Sequence, residues 1–130
     1  MADVLVDTSA WIDFFSRPSA QAAETVDGLL QHDRVCVTGV VLAELLRGTR
    51  TTQARGLLLE RFTALRFLET TQPIWMAAGD LAAKLSHDGL TLPLTDLLIA
   101  AVAHAYDCAI YATDSHFTRI PHLKLHPSAA

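Results

Sequence analysis

Only two cysteines occur in this chain, Cys36 and Cys108. They lie inside apolar runs, VCV and DCAIYA, far from any CxxC spacing. That excludes a disulfide framework and a cysteine zinc site, and predicts two buried, reduced thiols. An excess of positive charge is also missing. Ten basic side chains face 14 acidic ones, for a net of −4, so charge alone would not hold a nucleic acid. A polyanionic substrate would need local help, from clustered arginines or from a bound cation that reverses the sign of its site. Long apolar runs are absent as well. The longest uncharged apolar stretch, Leu97 to Ala103, stops at His104, too short to cross a bilayer. No basic segment leads into an apolar one near Asp3 and Asp7, so no secretion signal is expected and the predicted compartment is the cytoplasm. Finally, no GxGxxG follows a strand, which excludes a Rossmann dehydrogenase, and the six histidines show no HExxH spacing.

What is present reads as one globular domain over residues 1–130, with 51% hydrophobic and 18% charged residues. Short apolar strands alternate with helical stretches. VLV is a strand, and SAWIDFFSR and AQAAETVDGLLQH are helices parted by Pro18. VCV is the next strand, followed by a helix that starts near Thr38 or Gly39, carries VVLAELLRG and ends at Gly48. A helix over about 51–64, the strand RFLET and a helix from about Ile74 to Asp88 come next. TDLLIAAVAHAYD is a helix with Thr95 as its N-cap, AIYAT a strand, and LKLH a last short strand before a frayed PSAA tail. This alternation predicts an α/β/α sandwich around a mainly parallel sheet, whose ligands bind beyond the carboxyl ends of the strands.

That rule makes four carboxylates informative. Asp7 ends the first strand at a strand-to-helix turn, and Asp114 directly follows AIYAT. Asp96 sits at the opening of a helix. Glu44 lies within VVLAELLRG, flanked by apolar residues, where a half-buried carboxylate needs a cation: Arg47 or a metal. Each has a structural account when taken singly, as a helix-dipole acid, a turn residue or an intrahelical pair. Together, on one edge of one sheet, they would repel unless protonated or neutralised. Oxygen-only ligands suit a hard ion, Mg²⁺ or Mn²⁺. Of the histidines, His116 alone lies close enough in sequence to Asp114 to reach such a site; His32, His87, His104, His122 and His126 read as surface or loop residues.

Four segments carry a resemblance: VLVDTSAWIDFF, VVLAELLRG, LPLTDLLIAAVA and YATDSHFTRIP. In order and spacing they are similar to the PIN-domain ribonuclease toxins of the VapC family, over essentially the whole chain. The resemblance implies an acidic tetrad at Asp7, Glu44, Asp96 and Asp114 that holds Mg²⁺ or Mn²⁺ and hydrolyses phosphodiester bonds in single-stranded or loop RNA. Thr8 or Ser9 matches a supporting hydroxyl, while His116 occupies a position that is acidic in some relatives. It also implies a homodimer, and a cognate VapB-type antitoxin whose C-terminal segment covers the acidic site. Trp11, Phe14 and Phe15, beside Leu45 and Leu46, are either core residues or the lining of that antitoxin groove, with Trp11 expected to serve both. Arg17, Arg47, Arg50 and Arg119 are candidate phosphate contacts.

Rival classes fit less well. A haloacid-dehalogenase-like phosphatase needs a second aspartate where Ser9 stands. The alternative kept open is a non-catalytic or receiver-like α/β regulatory module. It would want paired acids after the first strand and a late lysine near the site, and the only lysines are Lys84 and Lys124.

Overall fold

The computed structural model describes residues 2–127. Its frame is a parallel sheet of β1 (Val4–Val6), β2 (Val35–Thr38), β3 (Arg66–Leu68) and β4 (Ala109–Tyr111), in the order β3-β2-β1-β4. Every pairing is parallel, with Leu5 opposite both Cys36 and Ile110. The two central strands are wholly buried, all three residues of β1 and all four of β2, as expected of strands covered on both faces. Flanking them are α1 (Thr8–Ser16), α2 (Gln21–Gln31), α3 (Gly39–Arg47), α4 (Thr52–Thr63), α5 (Gln72–His87) and α6 (Leu94–Ala105). A short 3-10 helix, Ser115–Arg119, follows β4.

α6 explains the uncharged run in the sequence. Leu97 through Ala103 are all buried, so this helix is apolar on every side and is covered all round by the rest of the chain. Cys36 and Cys108 are buried free thiols, as expected. No helix among the described residues is long and apolar enough to cross a membrane.

Three details differ from the sequence reading. Thr95 does not cap α6: the N-cap is Pro93 (φ −56°, ψ 137°), with no side-chain cap, because the fixed proline φ lets the helix begin directly after it. Asp96 lies in the first turn, as expected, but at its third residue instead of its first. LKLH forms no full strand. Leu125 makes one isolated parallel bridge to Ile110, carried by Ile110 N to Lys124 O at 2.9 Å and His126 N to Ile110 O at 2.8 Å. The third is the RFLET strand, which pairs only over Arg66–Leu68. The fraying expected for the PSAA tail falls, from Ser128 on, outside the described residues.

The strand order places the site. The chain adds β2 and then β3 on one side of β1, and returns to add β4 on the other. The point where strand order reverses lies between β1 and β4, and in such sheets ligands bind beyond the carboxyl ends of the strands at that point.

Candidate active site

Asp7 and Asp114 both lie just beyond those carboxyl ends, after β1 and β4. The Asp7 N–H continues the sheet ladder by donating to Tyr111 O at 2.8 Å. Asp7 itself is the N-cap of α1, its Oδ2 accepting from the Ser9 N–H at 3.1 Å and from the Ser9 hydroxyl at 2.7 Å. An aspartate there satisfies helix donors left without a partner. The Ser9 oxygen in turn accepts from Thr113 N at 3.1 Å, which ties the β1 turn to the β4 turn. Asp114 caps the 3-10 helix, its Oδ1 accepting from the His116 N–H at 2.7 Å.

Helices bring the other two acids. Glu44 projects from α3 and accepts from the Thr8 hydroxyl at 2.8 Å. Among the described residues it forms no ion pair with Arg47, which is exposed, so the intrahelical pairing weighed for it does not occur. Asp96 projects from the first turn of α6, and His116 Nδ1 stands 2.6 Å from its Oδ2 and 3.2 Å from Asp114 Oδ1. His116 thus reaches the site and spans two of its acids. The other five histidines are exposed or, for His126, partly buried.

The electrostatics follow from this crowding. Burial pushes the Asp7 carboxyl above the usual carboxylate range, and the negative Asp96 adds to the rise, against hydrogen bonds from Ser9 and Thr8 that lower it. Burial also raises Asp96, with Asp114 and Glu44 adding to it and His116 opposing it. Asp96 is therefore the acid through which the set is linked: it acts on Asp7, and Asp114 and Glu44 act on it.

Among the described residues, no three His, Cys, Asp or Glu side chains close on one point as a ligand cage. Each carboxylate instead holds a protein donor: Ser9 on Asp7, Thr8 on Glu44, His116 on Asp96 and Asp114. The chemistry of the set still fits a hard divalent ion. Several carboxylates gather beyond the strand ends, and Mg²⁺ keeps several waters and binds through only one or two carboxylates.

The basic residues are peripheral. Arg17, Arg47, Arg50 and Arg119 are all exposed. Arg17 lies 3.8 Å from Asp13, whereas Arg50 lines a groove together with Glu44. A receiver would need one late lysine near the site, and the later of the two lysines, Lys124, pairs instead with Asp107 in the turn before β4.

That groove, of about 410 Å³, is lined mainly by Ile12, Phe15, Leu45, Leu57 and Leu58, with Glu44 at its edge. Its composition corrects the reading of the aromatics. Trp11 is fully buried, packed on Phe14, Phe15 and Phe62 with ring centroids 5.6, 5.7 and 4.7 Å away. It belongs to the core and is not shared with the surface. Phe15 and Leu45 do line the groove, while Phe14 and Leu46 pack against the core. Ile12 and Leu57, 52% and 62% exposed, went unnoticed in the sequence. The available signal was the three-residue spacing of Ile12 and Phe15, which marks one face of α1.

A model of the PIN domain matches residues 4–123. The chain belongs to the PIN-domain family. No curated protein sequence matches it. Among solved structures it is similar to VapBC2 from Rickettsia felis, bound to a promoter DNA fragment, at 23% identity and a TM-score of 0.80 over 95% of this chain and 96% of that one. It is equally similar to VapBC-1 from nontypeable Haemophilus influenzae, with the same identity, TM-score and coverage. Mycobacterium tuberculosis VapC20, a sarcin-ricin loop cleaving toxin, matches at 20% identity and a TM-score of 0.69 over 96% of this chain and 100% of that one.

Proposed function

We propose that this protein is a metal-dependent endoribonuclease toxin of the VapC type, which hydrolyses RNA phosphodiester bonds and is silenced by a cognate antitoxin. The observation that carries the reading is the meeting of Asp7, Glu44, Asp96 and Asp114 at the β1/β4 switch point, coupled closely enough for Asp96 to feel Glu44 and Asp114. Support comes from PIN family membership and from likeness to VapBC toxins.

When bound, Mg²⁺ or Mn²⁺ supplies charge neutralisation at the phosphoryl oxygens and a more acidic attacking water. Asp7, Asp96 and Asp114 would hold it. Glu44, which accepts from the Thr8 hydroxyl, would orient the attacking water or hold a second ion. Ser9 keeps the Asp7 carboxylate oriented and locks the two turns together. Arg50, which shares a groove with Glu44, is one candidate to meet a phosphate, and the exposed Arg17, Arg47 and Arg119 are the others. The substrate is single-stranded or loop RNA, whose splayed strand can lower a phosphate onto acids that a rigid duplex would not reach.

The Ile12–Phe15–Leu57 groove, ending beside Glu44, suits an apolar antitoxin segment that continues over the acids. A second copy of the chain would occupy other exposed apolar residues, Phe67 and Trp75, at 42% and 54% exposure near the β3 edge.

Total bacterial RNA digested by purified, antitoxin-free protein tests the reading, with Mg²⁺, Mn²⁺ or EDTA and with Asp7→Asn in parallel. Discrete cleavage ends that need metal and vanish in the variant are expected. Cleavage by Asp7→Asn at the wild-type rate would overturn the site assignment, and formation of a stable aspartyl phosphate from acetyl phosphate would favour a regulatory module instead.

A further inference from the structure

Asp96 and Asp114 come from different elements, the first turn of α6 and the turn after β4, and their like charges oppose the approach. One nitrogen lies between them. His116 Nδ1 is 2.6 Å from Asp96 Oδ2 and 3.2 Å from Asp114 Oδ1, and the His116 backbone N–H donates to Asp114 Oδ1 at 2.7 Å. A single residue thus grips both carboxylates where a cation would otherwise be required.

We propose that His116 is a positioning residue that stands in for the divalent ion. Its Nδ1–H holds Asp96 and Asp114 together in the metal-free protein and competes with the ion for the same oxygens. The inference rests on the metal-dependent reading above and adds a built-in competitor to it. The neutral imidazole with its proton on Nδ1 makes the same hydrogen bonds as the charged ring, so the clamp does not depend on charge.

The fold lets the ring leave without disturbing its surroundings. The His116 side chain is 41% exposed, whereas that of Asp96 beneath it is 15% exposed. The next residue, Phe117, is buried at 1% exposure and anchors the 3-10 helix in the core. Rotation of the imidazole outward would free Asp96 Oδ2 and relieve Asp114 of the ring, leaving Asp114 Oδ1 with the His116 backbone N–H alone while the backbone stays in place.

Competition of this kind has a two-sided signature. A ligand that binds one state shifts the equilibrium only by its differential affinity, so removing the internal competitor must weaken the metal-free state and strengthen ion binding. A residue that merely fills space would do only the first. A residue that ligates the ion would lower affinity when removed.

The test uses the purified protein stripped with chelator, comparing wild type, His116→Ala and His116→Asn. The asparagine amide restores an N–H donor near the Nδ1 position. Mg²⁺ affinity is read by calorimetry, Mn²⁺ affinity by electron paramagnetic resonance, and metal-free stability by thermal unfolding. The expected result is a lower metal-free Tm in His116→Ala, binding of both ions roughly three- to tenfold tighter, the range one modest hydrogen bond supplies, and a return toward wild type in His116→Asn. Unchanged or weaker ion binding in a folded His116→Ala would overturn the proposal while leaving a metal-dependent nuclease intact. Failure of wild type and both variants to bind either ion would overturn the proposal together with the metal-dependent reading.

Discussion

The Ser9 hydroxyl donates to Asp7 Oδ2 at 2.7 Å while its oxygen accepts from the Thr113 N–H at 3.1 Å. One small side chain therefore fixes the orientation of a site carboxylate and holds the turn that carries Asp114 against the turn that carries Asp7. No other residue type does both as well. Alanine removes donor and acceptor together, while threonine adds a methyl group at a crowded turn.

Ser9→Ala should leave a folded protein with RNA cleavage reduced at least tenfold, because misplacing one group by a fraction of an ångström suffices for such losses. The stability cost should be small, about 1 kcal/mol, since Thr113 is exposed and its N–H can turn to water. Urea unfolding and cleavage assays on the same preparation separate the two effects. A loss of activity matched by a collapse of stability would deny Ser9 its orienting role.

Asp7 and Asp96 make the metal-free protein sensitive to pH in a defined direction. Both carboxyls are raised above their ordinary value, chiefly by burial. The folded state then binds more protons than the unfolded one between the ordinary and raised values, so stability falls as pH rises through that window. Below it, both groups are protonated in either state and the full contribution is present. Chelated protein should accordingly show a higher Tm just above pH 4 than at neutral pH, as far as these two groups decide it. Asp7→Asn should raise the metal-free Tm at neutral pH, and saturating Mg²⁺ should raise that of wild type. A lower Tm for chelated Asp7→Asn than for wild type at neutral pH would mean that ionised Asp7 stabilises the fold.

Much of the site was readable in the sequence because its parts follow local rules. An aspartate ending an apolar run, as Asp7 and Asp114 do, is a strand-end acid wherever the strand belongs to a parallel sheet. Two features resisted for physical reasons. In WIDFF the apolar residues occupy more than one face of α1, so spacing alone cannot say that Trp11 points inward and Ile12 outward. The partner of His116 is equally hidden. Asp96 lies 20 residues earlier, and only the return of the chain from α6 through β4 brings the two together. The start of α6 was misplaced because Thr95 has cap chemistry, but Pro93 two residues earlier sets the backbone first.

Trp11 supports the whole of α1, and hence Asp7 at its cap. With no exposure and three aromatic neighbours, its replacement by alanine should cost about 3–5 kcal/mol in urea unfolding. Trp11→Phe should cost less than Trp11→Ala, because it keeps an aromatic ring and leaves a smaller cavity, and among the described residues the buried Nε1 has no hydrogen-bond partner to lose. Equal losses for the two variants would mean that the indole makes a contribution beyond its packing.

The groove beside Glu44 can be separated from the chemistry next to it. Ile12 and Leu57 expose more than half of their surface and line the groove from α1 and α4, so neither contributes much to the core. Ile12→Asp or Leu57→Asp should change stability by no more than about 0.5 kcal/mol and leave metal-dependent RNA cleavage near the wild-type rate. The same variants should weaken binding of a cognate antitoxin by roughly 30-fold or more, the loss typical of a buried apolar anchor replaced at an interface centre, and so escape inhibition. An antitoxin that bound both variants as tightly as wild type would have to reach the acids by another route. The exposed Phe67–Trp75 surface would then be the next to test, by the same charge insertion and the same two assays.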